Sequence, residues 1–311
     1  MYHGVINVYK EPGYTSHDVV ARLRGILKQK KIGHTGTLDP AAEGVLPVCL
    51  GQGTRLVDLL SEQDKTYEAV LLLGQETDTQ DTTGRVTARH PVELTEQEIY
   101  QAAASFVGEQ EQVPPMYSAL KVNGKKLYEL ARAGKEIERK SRKINISELT
   151  IDWIDLPRVG LTVTCSKGTY IRTLCSDLGK ALGCGGCMER LKRTRVERFH
   201  IQDSLTLSQI ETLRDQNKIE EIIIPIENMF DGPKAIAAER EDKRVRNGNP
   251  VDETDFDFLI IDGNDVPPEK LPRTGLIRVY DSRQEFLGVY EYDKEYCWWK
   301  PKKMFPRETS S

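Results

Sequence analysis

The chain has 311 residues, 38% apolar and 30% charged, a balance that excludes a disordered polymer and suits one large folded unit plus a smaller one. Its formal net charge of −4 argues against a partner held by bulk positive charge, although nucleic-acid binding depends on where charge sits rather than on its mean. No apolar stretch reaches the ~18 residues of a membrane span, residues 1–10 lack the basic and apolar regions of a secretory leader, and six cysteines are too dilute for a disulfide framework. A soluble, cytoplasmic protein is expected.

Residues 5–9 are apolar and β-prone, and a Pro-Gly turn follows at 12–13. Thr15 or Ser16 is placed to cap a helix whose apolar positions Val19, Val20, Leu23, Ile26 and Leu27 recur at helical spacing. A Gly- and Thr-rich loop leads to Asp39. Residues 45–50 then read as a buried strand, 55–60 as a short helix, 67–73 as a strand and 74–84 as an acidic, Thr-rich loop. Thr95 and Glu98 have the spacing of a capping box for a helix ending near Gly108. Between Lys121 and Lys143, nine Lys or Arg stand against three Asp or Glu. Inside that stretch Asn123-Gly124 signals a tight hairpin, and Leu127, Leu130 and Ala131 a short helix stopped by Gly134.

Residues 161–165 alternate as a strand, and 171–182 read as a helix ending at Gly183. A boundary falls at 225–233. Beyond it, residues 251–269 carry seven acidic residues and no basic ones, which reads as a solvated, mobile loop. Residues 276–280 and 286–290 are short strands joined by a turn at Asp281-Ser282, and 298–303 are basic and aromatic. The alternation of elements predicts a mixed α/β (α+β) main domain over 1–230 and a small β-rich domain over 231–311.

Two readings of Asp39 stand on the residues alone. Asp-Pro-Ala-Ala-Glu over 39–43 is the pattern of a helix N-cap with proline at N1. The small residues Gly33, Thr35, Gly36 and Thr37 ahead of it make a loop that presents a carboxylate closely to a ligand. His34 by itself reads as a hydrogen-bonded loop residue, and the basic stretch as a solvated loop. Cys184-Gly-Gly-Cys187 is the only metal-like spacing; with no second CxxC or HxxxH it reads as an unliganded turn. Rossmann and Walker patterns are absent.

The segments Gly33-His-Thr-Gly-Thr-Leu-Asp-Pro-Ala-Ala-Glu-Gly-Val-Leu-Pro47, Lys65-Thr-Tyr67, Ser166-Lys-Gly-Thr-Tyr-Ile-Arg172 and Leu191-Lys-Arg-Thr194 resemble the signature motifs of the TruB family of tRNA pseudouridine synthases. Residues 114–134 are similar to that family's RNA-gripping insertion, here extending to about 143, and the segments fall in the family's order over 4–200. The resemblance implies a central, mainly antiparallel sheet with flanking helices, followed by a PUA-like C-terminal domain. It implies an isomerase that converts uridine 55 in the T-loop of tRNA to pseudouridine. Asp39 would be its catalytic carboxylate, Arg172 the counter-charge keeping Asp39 ionised, and Tyr67 the ring stacked on the target base and a helper in removing its C5 proton. Tyr170 and Leu191 would complete the base pocket, and His34 would fill the space left by the flipped nucleotide. Lys121, Lys125, Arg139, Lys140, Arg142 and Lys143 would grip the T-arm.

Isomerisation conserves atoms, so neither cofactor nor metal is implied; nor is an obligate protein partner, and a monomer is expected. One departure is visible: the family's Lys-Pro pair near the N-terminus is here Lys10-Glu11, with proline at 12. The alternatives are a non-catalytic tRNA-binding or tRNA-folding module on the same scaffold, and a synthase directed by a guide RNA.

Overall fold

The structure is a computed structural model that describes residues 1–118, 120–122, 124–135 and 137–305, with the backbone alone for Lys121, Val122, Lys125, Lys126 and Arg132. Strand β1 (Gly4–Lys10) leads into helix α1 (Ser16–Leu27). Thr15 caps α1: its hydroxyl accepts from the Asp18 N–H while the Asp18 carboxylate accepts from the Thr15 N–H, a reciprocal box worth about 1 kcal/mol. The apolar stripe of α1 packs against Ile6 and Val8 of β1 and against β2 (Ile32–His34) and β3 (Glu43–Leu50). The helix expected over 55–60 is instead a 3-10 turn, Gly51–Leu56, followed by α2 (Val57–Ser61).

Next come β4 (Lys65–Leu73), the small hairpin β5 (Gln75–Thr77) with β6 (Val86–Arg89), and α3 (Glu96–Ala104), which the Thr95–Glu98 box caps as its spacing predicts. After β7 (Gly108–Gln112), the basic stretch forms the hairpin β8 (Lys121–Val122) and β9 (Lys125–Lys126), turning at Gly124 with φ +80°, and the short α4 (Leu127–Arg132). The main unit finishes with β10 (Arg142–Asp155), β11 (Arg158–Cys165), α5 (Ile171–Ala181), β12 (Gly186–Val196), β13 (Phe199–His200) and α6 (Leu207–Asp215).

These strands build one nine-stranded sheet in the order β1-β3-β12-β4-β11-β10-β7, with β2 on β3 and β13 on β12. Its ladders are antiparallel except β3 with β12, so the sheet is mainly antiparallel, as expected. Gly44 permits that parallel contact. It adopts φ +108°, and a Cβ there would sit 2.2 Å from the Arg193 carbonyl oxygen.

A six-stranded sheet follows, built from β14 (Lys234–Ala237), β15 (Phe256–Ile261), β16 (Asn264–Val266), β17 (Leu276–Tyr280), β18 (Phe286–Asp293) and β19 (Trp298–Met304), with α7 (Asp242–Arg246) between its first two strands. The acid-rich 251–269 stretch is therefore not a mobile loop. It supplies β15 and β16, joined by a two-residue Asp262-Gly263 turn with both φ positive, and it buries Val251, Phe256 and Leu259. Its one buried acid, Asp255, accepts from the Arg244 guanidinium at 3.0 Å.

The two sheets are not separate bodies. Val5, Val45 and Phe199 of the first share a cluster with Val289 of the second, with Leu56 from the 3-10 turn and with Phe305 just after β19, and Phe230, Phe286 and Phe305 lie within 6.3 Å of one another between ring centroids. Among the described residues no helix is long and apolar enough to cross a membrane.

Candidate active site

Asp39 does not cap a helix. The chain after it makes a tight turn, with the Ala42 N–H donating to the Asp39 carbonyl at 3.1 Å, and then enters β3. What holds the loop is its attachment on every side. Leu38 and Ala42 are buried in the main core, and the Leu38 N–H donates to the Ser16 hydroxyl at 2.9 Å. The Pro40 carbonyl accepts from the Gly13 N–H at 2.8 Å. Lys10 is wholly buried beneath the turn, and its ammonium donates to the carbonyls of Glu11 (3.1 Å), Pro40 (3.2 Å) and Ala42 (2.5 Å). Burial pulls the Lys10 amine down to about 8, against the attraction of Asp39. Lys10→Met is expected to lower the unfolding midpoint and slow turnover, because buried carbonyls without a donor cost about 1–3 kcal/mol each. Thermal unfolding measures the first effect; an unchanged midpoint would show that the turn stands without Lys10.

The carboxylate faces a guanidinium. Arg172 Nε lies 3.0 Å from Asp39 Oδ2, and Nη2 donates to Oδ1 at 3.4 Å. The Arg172 side chain is only 6% exposed, whereas that of Asp39 is 39% exposed and open to a ligand. Arg172 stands in the first turn of α5, where a cation opposes the helix dipole. Asp39 and Asp81 supply the compensating negative charge, Asp81 Oδ2 lying 3.6 Å from Nη1. The carbonyls of Thr79 (3.3 Å) and Tyr117 (2.9 Å) take the remaining donors. The expected pairing is present, but its electrostatic balance differs from expectation. Desolvation pushes the Asp39 carboxyl above its ordinary 3.8, with Asp81 adding to the push, while Arg172 and Lys10 oppose it.

Tyr67 of β4 and Leu191 of β12 present the same face of the sheet, because Leu191 pairs with Ala69 and Arg193 with Tyr67. Tyr67, Leu38, Ala42 and Ile171 belong to one buried cluster, with Leu191 packed against it, so the carboxylate sits at the rim of an apolar floor. Burial pushes the Tyr67 phenol above its ordinary range, so in this state it is a neutral ring. Tyr170 precedes α5, and the buried Gln112 amide latches its backbone in both directions, accepting from its N–H at 2.8 Å and donating to its carbonyl at 3.1 Å. His34 ends β2 on the approach to the loop. The Gly36 N–H donates to its Nδ1 at 3.3 Å, and burial holds the ring down to about 4, so it is an uncharged imidazole at neutral pH.

The basic residues are less of a single patch than their spacing implies. Arg142 and Lys143 are exposed neighbours on β10 and so point to opposite faces of the sheet. Arg142 pairs with Gln112 and Lys143 with Glu111 on β7, which puts Arg142 on the face of buried Ile144 and near Tyr170. Lys140 is exposed, and Arg139 is half-buried, donating to the Pro114 carbonyl at 3.3 Å. The side chains of Lys121 and Lys125 lie outside the described residues. Cys184 and Cys187 are free thiols, both buried, and among the described residues no group of three or more His, Cys, Asp or Glu side chains could hold a metal ion. Sequence reasoning missed Asp81, Gln112, Lys65 and Arg193. For Asp81 and Gln112 no local signal existed; Lys65 and Arg193 lie inside the signature motifs, and their burial was the unseen part.

The site is thus a loop carboxylate clamped by a buried arginine at the rim of an apolar floor, with a tyrosine and a leucine from adjacent strands. The structure is similar to that titled "Crystal Structure of a Cbf5-Nop10-Gar1 Complex", with TM-score 0.70 and 27% identity over 97% of this chain and 85% of that one. Residues 24–171 match the family described as TruB family pseudouridylate synthase (N terminal domain), and 172–231 match the tRNA pseudouridylate synthase B C-terminal domain. The class is thus that of the pseudouridylate synthases. Two curated relatives narrow it, both named tRNA pseudouridine synthase B. That of Lachnoclostridium phytofermentans is 48% identical over 97% of this chain and 99% of its own length; that of Staphylococcus aureus strain MSSA476 is 40% identical over 98% and 100%. The chain belongs to the TruB family.

Proposed function

We propose that this chain isomerises uridine 55 in the T-loop of tRNA to pseudouridine, and that Asp39 is its catalytic carboxylate. The observation that carries the reading is the Arg172–Asp39 pair, bidentate and aimed at the rim of the pocket floored by Tyr67 and Leu191. In the reaction the N1–C1′ bond of uridine breaks, the base turns, and C5 bonds to C1′. The C5 proton then leaves, its electron pair restoring the C5=C6 double bond, and N1 takes up a proton. Asp39 answers the electron demand at the breaking bond, and Arg172 fixes which oxygen it offers. The target base leaves its stack to react, at a cost of a few kcal/mol. It stacks on Tyr67, with Tyr170 and Leu191 beside it, and the neutral His34 ring fills the vacated space without adding charge.

Residues 1–230 act as the catalytic domain, with the 114–143 segment gripping the T-arm, and residues 231–311 as an accessory RNA-contacting domain. No guide RNA or partner protein is needed. The test is to map pseudouridine in unmodified tRNA incubated with the purified chain alone. Pseudouridine at position 55 is expected; its formation only with a guide RNA would favour the guide-directed reading, and its absence in both would favour a binding module.

Neutralising Arg139, Lys140, Arg142 and Lys143 together is expected to weaken tRNA binding and flatten the dependence of log Kd on log salt by about one unit for each phosphate no longer neutralised. Binding titrations between low and moderate salt read the slope; an unchanged slope would put the grip elsewhere.

A further inference from the structure

Arg193 is 1% exposed, and among the described residues no carboxylate lies within ion-pair distance of it. Lys10 and Lys65, both buried as well, feel its repulsion. A buried guanidinium without a counter-anion is costly, several kcal/mol before hydrogen bonds offset it. Its hydrogen bonds run in particular directions. Nε donates to the Val45 carbonyl at 2.7 Å and Nη2 to the Gly36 carbonyl at 3.3 Å, so the side chain ties β3 to the loop that carries Asp39. Arg193 also stands directly opposite Tyr67 across the β4–β12 ladder, on the same face of the sheet, where its positive charge acts on the phenol. One side chain therefore ties down the loop of the proposed catalytic carboxylate and is the cross-strand neighbour of the ring proposed to lie beneath the target base.

We propose that Arg193 is a positioning residue of the isomerisation: it holds the Tyr67 oxygen in place and supplies the positive charge that lets this oxygen take the C5 proton as a phenolate. The inference rests on the proposed function. In the step concerned, the C5–H bond breaks and its electron pair forms C5=C6. The C6=N1 pair moves onto N1, and the proton passes to the phenolate. The phenolate forms when the resting phenol gives its proton to water; after the step the phenol carries the former C5 proton and water protonates N1, so the neutral phenol is restored and nothing is gained or lost. The charged groups facing Tyr67 are few. Arg193 on β12 is the strongest influence favouring the phenolate, while burial, Cys165 on β11 and Asp39 on the loop oppose it. The otherwise uncompensated cation thus gains an anionic partner during turnover.

The test uses Arg193→Lys, which keeps charge but loses the fork, and Arg193→Gln, which loses both. Single-turnover rates on tRNA are expected to fall about tenfold and about a hundredfold respectively, with tRNA Kd within about threefold. With 5-deuterated uridine in the tRNA, a primary isotope effect larger than that of the wild-type enzyme, measured alongside, should emerge in both variants, because proton removal becomes rate-limiting. In a Tyr67→Phe background, Arg193→Lys should cost little further. Slower variants without that larger isotope effect, or an equal loss in the Tyr67→Phe background, would mean that Arg193 serves only to hold the fold. Should the Gln variant not fold, the Lys variant decides by the same two readings. Wild-type conversion of tRNA is the control: its failure would strike the proposed function, whereas success with uncoupled Arg193 and Tyr67 would strike this inference alone.

Discussion

Asp39→Asn is expected to abolish pseudouridine formation, with a rate loss of roughly 10⁴-fold, while tRNA binding stays within about threefold. The asymmetry follows from the surroundings of the side chain. Asparagine keeps its shape, and Arg172 remains anchored by Asp81 and the carbonyls of Thr79 and Tyr117, so the pocket survives without its anion. Tritium release from 5-tritiated uridine in tRNA measures the reaction, and turnover close to wild type would remove Asp39 from the chemistry. The same carboxylate sets a pH limb. Its acidity is displaced upward from 3.8, and only the ionised form acts, so activity should rise with pH through a midpoint above that value. A midpoint at or below the ordinary value would contradict the desolvated site.

Arg172→Met ranks second in expected effect, and it reports on both activity and stability. Its removal leaves Asp39 and Asp81 facing each other without the intervening guanidinium and strips the Thr79 and Tyr117 carbonyls of a donor. A loss of about 10²–10³-fold in single-turnover rate is expected, as for removal of one preorganised electrostatic contact. Stability should fall by about 1–3 kcal/mol, a range discounted for the solvent exposure of Asp39. The acid limb should also move to higher pH, since the group that opposes protonation of Asp39 is gone. Arg172→Lys should recover part of the limb shift and little of the rate, because a lysine supplies charge without the fork. Equal recovery of both would reduce the role of Arg172 to charge alone.

The sequence was most legible where local chemistry and tertiary packing agree. Helix α3 could be placed from Thr95 and Glu98, and the β8–β9 hairpin from Asn123-Gly124, because capping and turn geometry are set within a few residues. Strand β12, which carries Leu191 and Arg193 through the sheet between β3 and β4, was not legible. Glu189, Arg190, Lys192, Arg193 and Arg195 hide its strand character, and the partners of Glu189, Lys192 and Arg193 (the Arg158 guanidinium, the Glu68 carboxylate and the Val45 carbonyl) come from segments distant in sequence. The 251–269 segment failed for the opposite reason. Charge counting outweighed the Asp262-Gly263 turn and the apolar residues that become β15. For Asp39, the Asp-Pro pattern fits a helix start, yet the turn is closed by Lys10, Gly13 and Ser16, which come from the preceding strand, turn and helix.

The aromatic cluster joining the two sheets bears on the order of synthesis. Val5 leaves the ribosome long before Val289 and Phe305, which share its buried cluster and follow it by 284 and 300 residues. Until those residues arrive, the face of the catalytic sheet that carries Val5, Val45 and Cys49 stays partly uncovered, an apolar surface open to misassociation. A chain stopped after β17 would therefore carry every proposed catalytic side chain and still be prone to aggregate, a fate that sedimentation of the truncated product would reveal.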